Sequence, residues 1–474
     1  MKPPQTAAVI GGGITGLVAA FRLRQSGIAT TVFEATGRAG GVIRTDSEGG
    51  WIAECGPNTL LETSPKITAL IEEPALGIAE RRRDAAPAGA KRYILKNGKP
   101  VMLPPSAAGF MKTPLFSMGA KLRLMAEPFI ARRPDDAPEE SLADFVRRRI
   151  GREFLDYAIN PFVAGVYAGD PEKLSVRHAF QKIHALEREY GSLIRGQILG
   201  ARKRKKRGTV AKDRAKQVSF DAGLQVLTDA LAESLGAALR LGAKVDRLSR
   251  NAGGKWSVVS GSDGGLSDSF DHVILALPAH AMANLSIQSA GGGGENPAAE
   301  ADMSMFSEIV YPPVAAAVLG FRREDVADPL DGFGTLNPEV EGVNTLGTLF
   351  TSTLFPARAP AGHVLLTTYL GGTRQPELAE KPGDDILKLV MDDLESIYGV
   401  RGNPEFVHVF TSQKAIPQYE VGYGKYLDFM EKIESAHPGL RIAGHCRDGI
   451  SLSDSILSGE KVAEAISESS MGKH

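Results

Sequence analysis

The part of the chain up to Glu34 constrains the fold more than any other part. Apolar runs over residues 6–10 and 30–33 predict two strands, and helix-spaced apolar residues over 17–25 predict a helix between them. The turn before the helix has glycines in the GxGxxG spacing, and an acidic residue closes the second strand. Glycine permits a tight turn against a pyrophosphate, the helix N-terminus supplies amide donors, and a carboxylate accepts ribose hydroxyls. The pattern therefore predicts a Rossmann-like dinucleotide site at Gly11, Gly13, Gly16 and Glu34.

Composition and charge exclude several classes of protein. The chain has 474 residues, 43% of them hydrophobic and 23% charged, with 55 basic against 56 acidic side chains. This length predicts two or three domains, and the composition excludes a disordered, collagenous or disulfide-framework chain. The balanced charge predicts no nucleic-acid partner. Cys55 and Cys446, the only cysteines, form no CxxC pair, which favours a reducing compartment.

The apolar stretch at residues 7–21 is interpreted as part of the fold and not as a targeting signal. It contains three consecutive glycines, and no cleavage-site pattern follows it. The glycine motif lies so close to Met1 that it leaves no room for a transit peptide, and no apolar run reaches the length of about 18 residues that a membrane span needs. We therefore expect a cytoplasmic protein without a membrane-spanning helix.

The segment after the first βαβ unit indicates which dinucleotide binds. Residues 37–44 read GRAGGVIR, which resembles the RxGG signature that follows this unit in FAD-containing amine-oxidase-like enzymes. The alternative is a generic glycine loop with Arg38 and Arg44 in solvent. A further turn at residues 56–59 follows a predicted strand at 51–54 and is expected to place backbone near the isoalloxazine. The pattern favours FAD over a nicotinamide cofactor.

Later stretches are predicted to return to the dinucleotide-binding domain. Residues 218–248 and 270–277 indicate strands and a helix, and residues 440–463 indicate a strand, a glycine turn and a helix. We therefore expect a multidomain fold of α/β and α+β class, in which two insertions interrupt a Rossmann-like FAD-binding domain. The predicted domains are residues 1–92, 218–278 and 425–474 for FAD, 93–217 for a helical insertion that contacts a membrane or a substrate tunnel, and 279–424 for a mixed-sheet substrate domain.

The first insertion carries two basic features. Over residues 114–133 an apolar face is edged by lysine and arginine, which suits an anionic membrane surface, a substrate tunnel or a packed core. Residues 202–207 read RKRKKR, and the basic run continues to Lys216. We interpret this run as a solvated loop and expect no nucleic-acid binding from it.

Catalytic motifs of other enzyme classes are missing from the sequence. The nine histidines show no metal-ligand spacing, and the chain has neither a GxSxG elbow nor a Walker loop. We therefore predict no metal and assign no acid or base residue. A flavin supplies the redox step itself, so the protein need only bind, orient and exclude water.

Four longer segments carry a more specific signal: KRYILKNG at 91–98, NPFVAGVYAGDP at 160–171, PLDGFG at 329–334 and TLGTLF at 345–350. Together with the flavin signature they resemble the oxygen-dependent protoporphyrinogen oxidases over nearly the whole chain. The resemblance implies that noncovalent FAD and oxygen remove six hydrogens from protoporphyrinogen IX to give protoporphyrin IX. It also implies repeated hydride transfer from a methylene bridge to flavin N5.

The resemblance implies a substrate site as well. Arg92 would pair with a substrate propionate, which calls for a charged fork. Leu336 and Leu349 would sandwich a pyrrole ring, and Gly165 would present its backbone to the macrocycle. Tyr369 stands where plant-type members have a stacking phenylalanine, so its added hydroxyl needs a partner if it is buried.

The flavin contacts follow from the same resemblance, with one departure. Residues 445–449 read HCRDG, where a second glycine is common before the helix. Cys446 is interpreted as an ordinary thiol because the family binds FAD noncovalently. The implied contacts are Gly11, Gly12, Gly13, Ile14, Thr15, Gly16, Glu34, Ala35, Arg38, Gly41, Val42, Gly56, Pro57, Asn58, Thr59, Val245, Ile450, Ser451 and Leu452.

Several alternatives stay open at this point. Oxidation of coproporphyrinogen III to coproporphyrin III is the nearest, although four carboxylates call for more cationic partners than Arg92. An amine oxidase or carotenoid desaturase shares the flavin signature but should lack Arg92 and the segment at 160–171. A non-catalytic flavoprotein would tether partners through residues 202–207. A homodimer and a peripheral contact with the cytoplasmic membrane face also stay open.

Overall fold

The computed structural model describes residues 5–207, 215–251, 253–260, 267–288 and 300–471. Within them the chain forms a parallel sheet around the N-terminal βαβ unit, a second sheet beside it, and a separate seven-stranded mixed sheet. A run of helices precedes the first return to the parallel sheet. This is the multidomain mixture of α/β and α+β structure that the sequence predicts.

The predicted Rossmann-like unit is a five-stranded parallel sheet. Its central strand, Thr6–Ile10, is buried at every position after the first because elements on both faces cover it. The predicted strand at 30–33 is confirmed, and the predicted helix begins three residues earlier than its apolar run, at Ile14. In spatial order the strands are Leu239–Arg240, Ala29–Phe33, Thr6–Ile10, His272–Leu275 and Leu440–Ile442.

The last helix of the chain packs closely on the first. Gly459 lies so near helix Ile14–Gln25 that a Cβ there would stand 2.6 Å from the carbonyl oxygen of Thr15. The Thr15 hydroxyl donates to the carbonyl of Ser455 at 2.9 Å. These contacts fix helix Leu452–Met471 against the dinucleotide motif.

A second five-stranded sheet adjoins the parallel one. The sequence placed residues from 279 onward in the substrate domain, but Ser286–Gln288 pairs in parallel with Val245–Arg250. The predicted boundary therefore separates two strands that share one sheet. In spatial order the strands are Ser267–Phe270, Trp256–Ser260, Val245–Arg250, Ser286–Gln288 and Glu300–Ala301.

The seven-stranded sheet contains the three strands predicted near 314–321, 345–350 and 364–370. It also takes in residues 93–102, which were predicted to open the helical insertion. They form a hairpin instead, and its first strand pairs in parallel with Gly334–Leu336. In spatial order the strands are Phe406–Ser412, Val314–Arg322, His363–Gly371, Thr345–Leu349, Gly334–Leu336, Tyr93–Lys96 and Lys99–Met102.

The two faces of this sheet have different neighbours. One face packs against helix Gly383–Tyr398 through alternate residues of the long central strands. On the other face, Val318 and Leu365 pack against Trp51, which belongs to a hairpin next to the dinucleotide motif. The second face is therefore the one directed toward the N-terminal unit.

Helices make up most of the regular structure between residues 107 and 207. The basic run at 202–207 was predicted as a loop, but it ends a helix that begins at Leu193, and residues 208–214 lie outside the described ranges. None of the helices in the described part of the chain combines the length and apolar character that crossing a bilayer requires. The main helices are Ala107–Lys112, Met118–Met125, Leu142–Arg149, Asn160–Tyr167, Val176–Ala179, Gln181–Tyr190 and Leu193–Arg207.

A buried ion pair joins these layers. The Arg358 guanidinium, from the loop before strand His363–Gly371, donates to Glu54 Oε1 at 2.7 Å. Both side chains are almost completely buried. Glu54 ends strand Trp51–Glu54 and also accepts from the Leu224 amide at 2.9 Å and the Thr45 hydroxyl at 2.7 Å. One carboxylate thus holds the hairpin, the helix after residue 224 and the seven-stranded sheet together.

We predict that Arg358→Met destabilises the protein by about 3–5 kcal/mol, because it leaves the Glu54 carboxylate buried without its counterion. Urea unfolding followed by tryptophan fluorescence measures the loss. The matched control is Arg322→Met, which removes an exposed pair with Glu405 and should cost at most about 1 kcal/mol. Equal losses in the two variants would contradict the role given to the buried pair.

Candidate active site

The three motif glycines have different surroundings. Gly11 has φ +108°, and a Cβ there would lie 2.5 Å from the Ala276 carbonyl oxygen. A Cβ on Gly16 would lie 2.0 Å from the Gly11 carbonyl oxygen. Protein packing thus requires glycine at these two positions. Gly13 is different, because nothing among the described residues lies within 4 Å of its Cβ position, which leaves space for a ligand's phosphates at the helix N-terminus.

Glu34 is held at the end of its strand by backbone amides. One carboxylate oxygen accepts from the Gly12 amide at 2.7 Å, and the other accepts from the amide and hydroxyl of Thr36 at 2.9 and 2.8 Å. The oxygen bonded to Gly12 has a second lone pair, which can accept a ribose hydroxyl. The Ala243 amide donates to the Glu34 carbonyl at 2.8 Å, so the segment leading to Val245 runs beside this carboxylate.

The RxGG loop lies directly on the glycine turn. The Gly40 amide donates to the Gly12 carbonyl at 2.8 Å, and a Cβ on Gly41 would lie 3.2 Å from the Cα of Gly13. The Arg38 guanidinium donates to carbonyls of its own loop, including that of Ile43 at 2.8 Å. Arg38 therefore shapes the loop in this structure, and its contact with a cofactor stays a prediction.

The turn at 56–59 connects this loop to the seven-stranded sheet. A Cβ on Gly56 would lie 2.1 Å from the Val42 carbonyl oxygen, so the two loops touch through backbone. The Asn58 side-chain amide donates to the Tyr369 hydroxyl, which is the partner that the sequence required for that hydroxyl. Burial raises the pKa of Tyr369, so the phenol is neutral. Asn58 Oδ1 is buried and accepts no hydrogen bond from any described residue. It can therefore accept a hydrogen bond from a ligand.

Two tyrosine hydroxyls hold the backbone of the segment at 445–449. Gly449 has φ +120°, and its amide donates to the Tyr419 hydroxyl at 3.0 Å. The same hydroxyl donates to the His445 carbonyl, and the Tyr423 hydroxyl donates to the Cys446 carbonyl at 2.6 Å. Hydrogen bonds with Tyr419 and Tyr423 therefore fix the segment at 445–449, which departs from the expected glycine pattern. The sequence reasoning missed these tyrosines, although their close spacing before the last strand was a usable signal.

The start of the last helix follows this segment. The Ser451 hydroxyl donates to Asp454 Oδ2 at 2.6 Å, and the Asp454 amide lies 3.2 Å from the Ser451 oxygen, as in a helix N-cap. Ile450 and Leu452 flank this cap, beside the first helix. The predicted C-terminal flavin contacts thus stand at a helix N-terminus.

Two titratable side chains of the segment at 445–449 are neutral. Burial lowers the pKa of His445 to about 4 and raises the pKa of the Cys446 thiol to about 12. The imidazole lies 3.2 Å from the Tyr311 hydroxyl. His445 and Cys446 are therefore uncharged near pH 7, and Cys446 is a thiol and not a reactive thiolate.

The predicted substrate residues share one face of the seven-stranded sheet. Strand pairing sets Leu336 opposite Gly347, and Gly347 opposite Tyr369. Leu349 stands two residues along, opposite Gly334. Each leucine thus stands opposite a glycine in the neighbouring strand, and both leucines are half-buried. This is the face directed toward the N-terminal unit.

Arg92 and Gly165 adjoin the same face. Leu336 pairs with Ile94, and Arg92 stands two residues before Ile94, so it belongs to the same side of the sheet. A Cβ on Gly165 would lie 2.3 Å from Leu336 Cδ2, which places the helix backbone directly on this leucine. Four strands and one helix therefore bring all five predicted substrate residues together: Arg92, Gly165, Leu336, Leu349 and Tyr369.

Arg92 has no ion-pair partner among the described residues. Its guanidinium carbon lies 5.6 Å from the centre of the Phe333 ring, and no described carboxylate lies within ion-pair distance. By contrast, Lys91 pairs with Asp331 at 2.5 Å and Lys96 with Glu153 at 3.5 Å. Arg92 is therefore the cation of this segment that remains available to an anionic ligand.

Arg374 is a further residue that the sequence reasoning missed. Its guanidinium donates to Asn160 Oδ1 at 2.7 Å and to the Asn337 carbonyl at 3.1 Å. Asn160 begins the helix that carries Gly165, so Arg374 positions that helix against the sheet. No spacing or motif in the sequence indicated this long-range contact.

Comparison with known proteins gives the family. The family model for flavin containing amine oxidoreductases matches residues 14–467. A mitochondrial protoporphyrinogen oxidase from Nicotiana tabacum is 37% identical over 97% of this chain and 94% of its own length. The coproporphyrinogen III oxidase of Bacillus subtilis (strain 168) is 30% identical over 95% of this chain and 96% of its own length.

Solved structures show the same fold. A crystal structure from Exiguobacterium sp. 255-15 matches with a TM-score of 0.78 at 23% identity, covering 98% of this chain and 99% of that one. A reduced UDP-galactopyranose mutase matches with a TM-score of 0.71 at 16% identity, over 98% and 94% of the two chains. The chain is a flavin-dependent oxidoreductase that belongs to the flavin containing amine oxidoreductase family, in the group that holds the protoporphyrinogen oxidases and the coproporphyrinogen III oxidases.

Proposed function

We propose that this protein oxidises protoporphyrinogen IX to protoporphyrin IX with oxygen as acceptor, the penultimate step of haem synthesis. The observation that carries the proposal is the position of Arg92, a cation without a carboxylate partner among the described residues, on the same sheet face as Leu336 and Leu349. Relatives at 37% and 36% identity are named protoporphyrinogen oxidases.

We propose further that the flavin is FAD and that it binds noncovalently. The open space at Gly13 suits its pyrophosphate, and Glu34 suits its adenosine ribose. The unpaired oxygen of Asn58 suits the isoalloxazine end. A bound FAD supplies the hydride acceptor and returns the electrons to oxygen, giving one peroxide for every two hydrogens removed. The neutral, fully buried thiol of Cys446 offers no thiolate for a covalent link.

The residues of the chain would orient the substrate against the cofactor. Leu336 and Leu349, each opposite a glycine, hold a pyrrole ring by apolar contact, and Arg92 holds a propionate. The hydrogen bond between Asn58 and Tyr369 ties the cofactor turn to this sheet face, so ring and cofactor keep a fixed relation. No acid or base residue is assigned, because a flavin supplies the redox step and the protein need only bind, orient and exclude water.

The pairing of the neighbouring cations favours protoporphyrinogen over coproporphyrinogen. Lys91 and Lys96 are held by Asp331 and Glu153, which leaves Arg92 as the free cation of this segment in the described structure. A substrate with two propionates needs few such partners, whereas one with four carboxylates needs more.

Aerobic turnover on the two porphyrinogens, side by side, tests this function. The purified flavin-loaded protein should show the higher kcat/KM on protoporphyrinogen IX, with porphyrin fluorescence and peroxide rising together. A higher kcat/KM on coproporphyrinogen III would contradict the proposed substrate. Failure to oxidise either compound with flavin bound would contradict the proposed reaction.

Arg92→Ala should raise KM for protoporphyrinogen IX by about 10- to 100-fold, because a charge-assisted hydrogen bond contributes about 1.5–3 kcal/mol. Steady-state kinetics measure the change, and flavin content should stay at the wild-type level. Lys91→Ala is the matched control, since its exposed pair with Asp331 lies outside the proposed contact. An unaltered KM in Arg92→Ala would remove this residue from the site.

We also propose that the helical insertion contacts an anionic membrane. Four apolar side chains within residues 114–133 are uncovered: Met118, Leu122 and Met125 are at least half exposed, and Phe129 is 86% exposed. Leu115 and Phe116, at the start of this stretch, are buried instead. The spacing of Met118, Leu122 and Met125 sets them along one side of helix Met118–Met125. An exposed apolar stripe of this kind suits the interface of a bilayer better than solvent.

Co-sedimentation with phosphatidylserine vesicles tests the membrane contact. The double variant Leu122→Glu/Phe129→Glu should bind vesicles at least about tenfold more weakly, because both side chains would have to leave the apolar boundary with a charge. Val340→Glu/Val407→Glu is a control, since these valines are exposed in another part of the chain. Equal binding by wild type and the first variant would contradict this contact.

A further inference from the structure

Three side chains with different donor atoms meet beside the hairpin of strands Thr45–Glu48 and Trp51–Glu54. Asp46 lies on strand Thr45–Glu48, Cys55 follows strand Trp51–Glu54, and His408 lies on strand Phe406–Ser412 of the seven-stranded sheet. Cys55 Sγ lies 3.3 Å from His408 Nε2 and 3.4 Å from Asp46 Oδ2, and the last two atoms are 3.3 Å apart. All three residues are half-buried, so the cluster is open to ions from solvent.

The triangle has the dimensions of one face of a zinc tetrahedron. Zinc bonds of about 2.3 Å to sulfur and about 2.0–2.1 Å to nitrogen and oxygen, at tetrahedral angles, set the donor atoms about 3.3–3.6 Å apart. The three measured separations fall at the lower end of this range. An ion could therefore enter with small side-chain shifts.

The donor set selects the class of ion. A thiolate and an imidazole favour zinc and related transition metals, whereas calcium and magnesium take oxygen ligands. Three protein ligands also leave a fourth position for water or another ligand. The Arg44 guanidinium donates to both oxygens of Asp46, at 2.9 and 2.8 Å, and so orients the carboxylate from the outside.

We propose that Asp46, Cys55 and His408 form a binding site for one divalent zinc-class ion. On binding, the Sγ–H bond of Cys55 breaks, the sulfur bonds the metal, and the proton leaves to solvent without any change of oxidation state. The metal would link the edge strand of the seven-stranded sheet to the residue directly before Gly56. The sequence predicted no metal because residues 46, 55 and 408 have no ligand spacing in common.

Cobalt substitution tests the ligand set in the flavin-loaded protein. Co²⁺ should bind with a thiolate charge-transfer band and with d–d bands to the red of the flavin absorption. Cys446 is fully buried, so a thiolate band assigns Cys55 among the two cysteines. Calorimetric titration with Zn²⁺ should give one ion per chain and one proton released per ion.

Variants test the same site independently of any activity. Loss of a hydrogen-bond partner of a ligand already weakens metal binding about 10- to 100-fold, so Cys55→Ala and His408→Gln should each weaken Zn²⁺ at least about 100-fold. His363→Gln is the matched control, because His363 pairs with Glu405 on the same sheet without a cysteine. Its affinity for Zn²⁺ should equal that of wild type.

Three results would overturn the site. They are a cobalt complex without a thiolate band, which means adventitious binding through nitrogen and oxygen only; no binding of either ion; and wild-type affinity in Cys55→Ala. If a variant loses its flavin, the cobalt spectrum of the wild-type protein still decides the matter. None of these readouts depends on which porphyrinogen the enzyme oxidises.

Discussion

The buried pair between Glu54 and Arg358 is the contact on which the geometry of the site depends. It lies where the N-terminal unit meets the seven-stranded sheet, and almost no solvent reaches it. Glu54 lies two residues before Gly56, so any shift of the sheet relative to the carboxylate also moves the turn at 56–59. Removing one partner of an ion pair that is this deeply buried is costly, because the other charge is left without a counterion. The pair therefore holds the two layers in a fixed relative position.

Two contacts therefore join the predicted cofactor and substrate elements. The ion pair fixes the layers, and the hydrogen bond from Asn58 to Tyr369 fixes the cofactor turn on the substrate face. On that face Leu336 and Leu349 stand opposite glycines, and Arg92 supplies a cation beside them. An enzyme of this kind needs orientation and exclusion of water more than acid or base groups.

Local patterns were sufficient for the parts of this fold that are built locally. The glycine spacing predicted the first βαβ unit, and apolar runs predicted the strands near 314–321 and 364–370. The hairpin at 93–102 was missed although its signal is local: its strands pair with each other across Asn97 and Gly98, which both have positive φ, and an Asn-Gly turn of this kind predicts a hairpin. The pairing of this hairpin with Gly334–Leu336, the contacts of Arg374 and the cluster at Asp46 could not be predicted, because contacts between residues far apart in the chain leave no periodicity in the sequence. The family resemblance supplied the substrate residues, which spacing alone did not.

The most direct test of the account is anaerobic mixing of the flavin-loaded protein with protoporphyrinogen IX in a stopped-flow spectrometer. The oxidised flavin absorbance should be lost in a phase whose rate saturates with substrate, faster than with coproporphyrinogen III. Porphyrin should appear only after oxygen is admitted for the remaining rounds. Flavin that stays oxidised in the presence of protoporphyrinogen IX, yet is reduced by dithionite, would contradict the central claim.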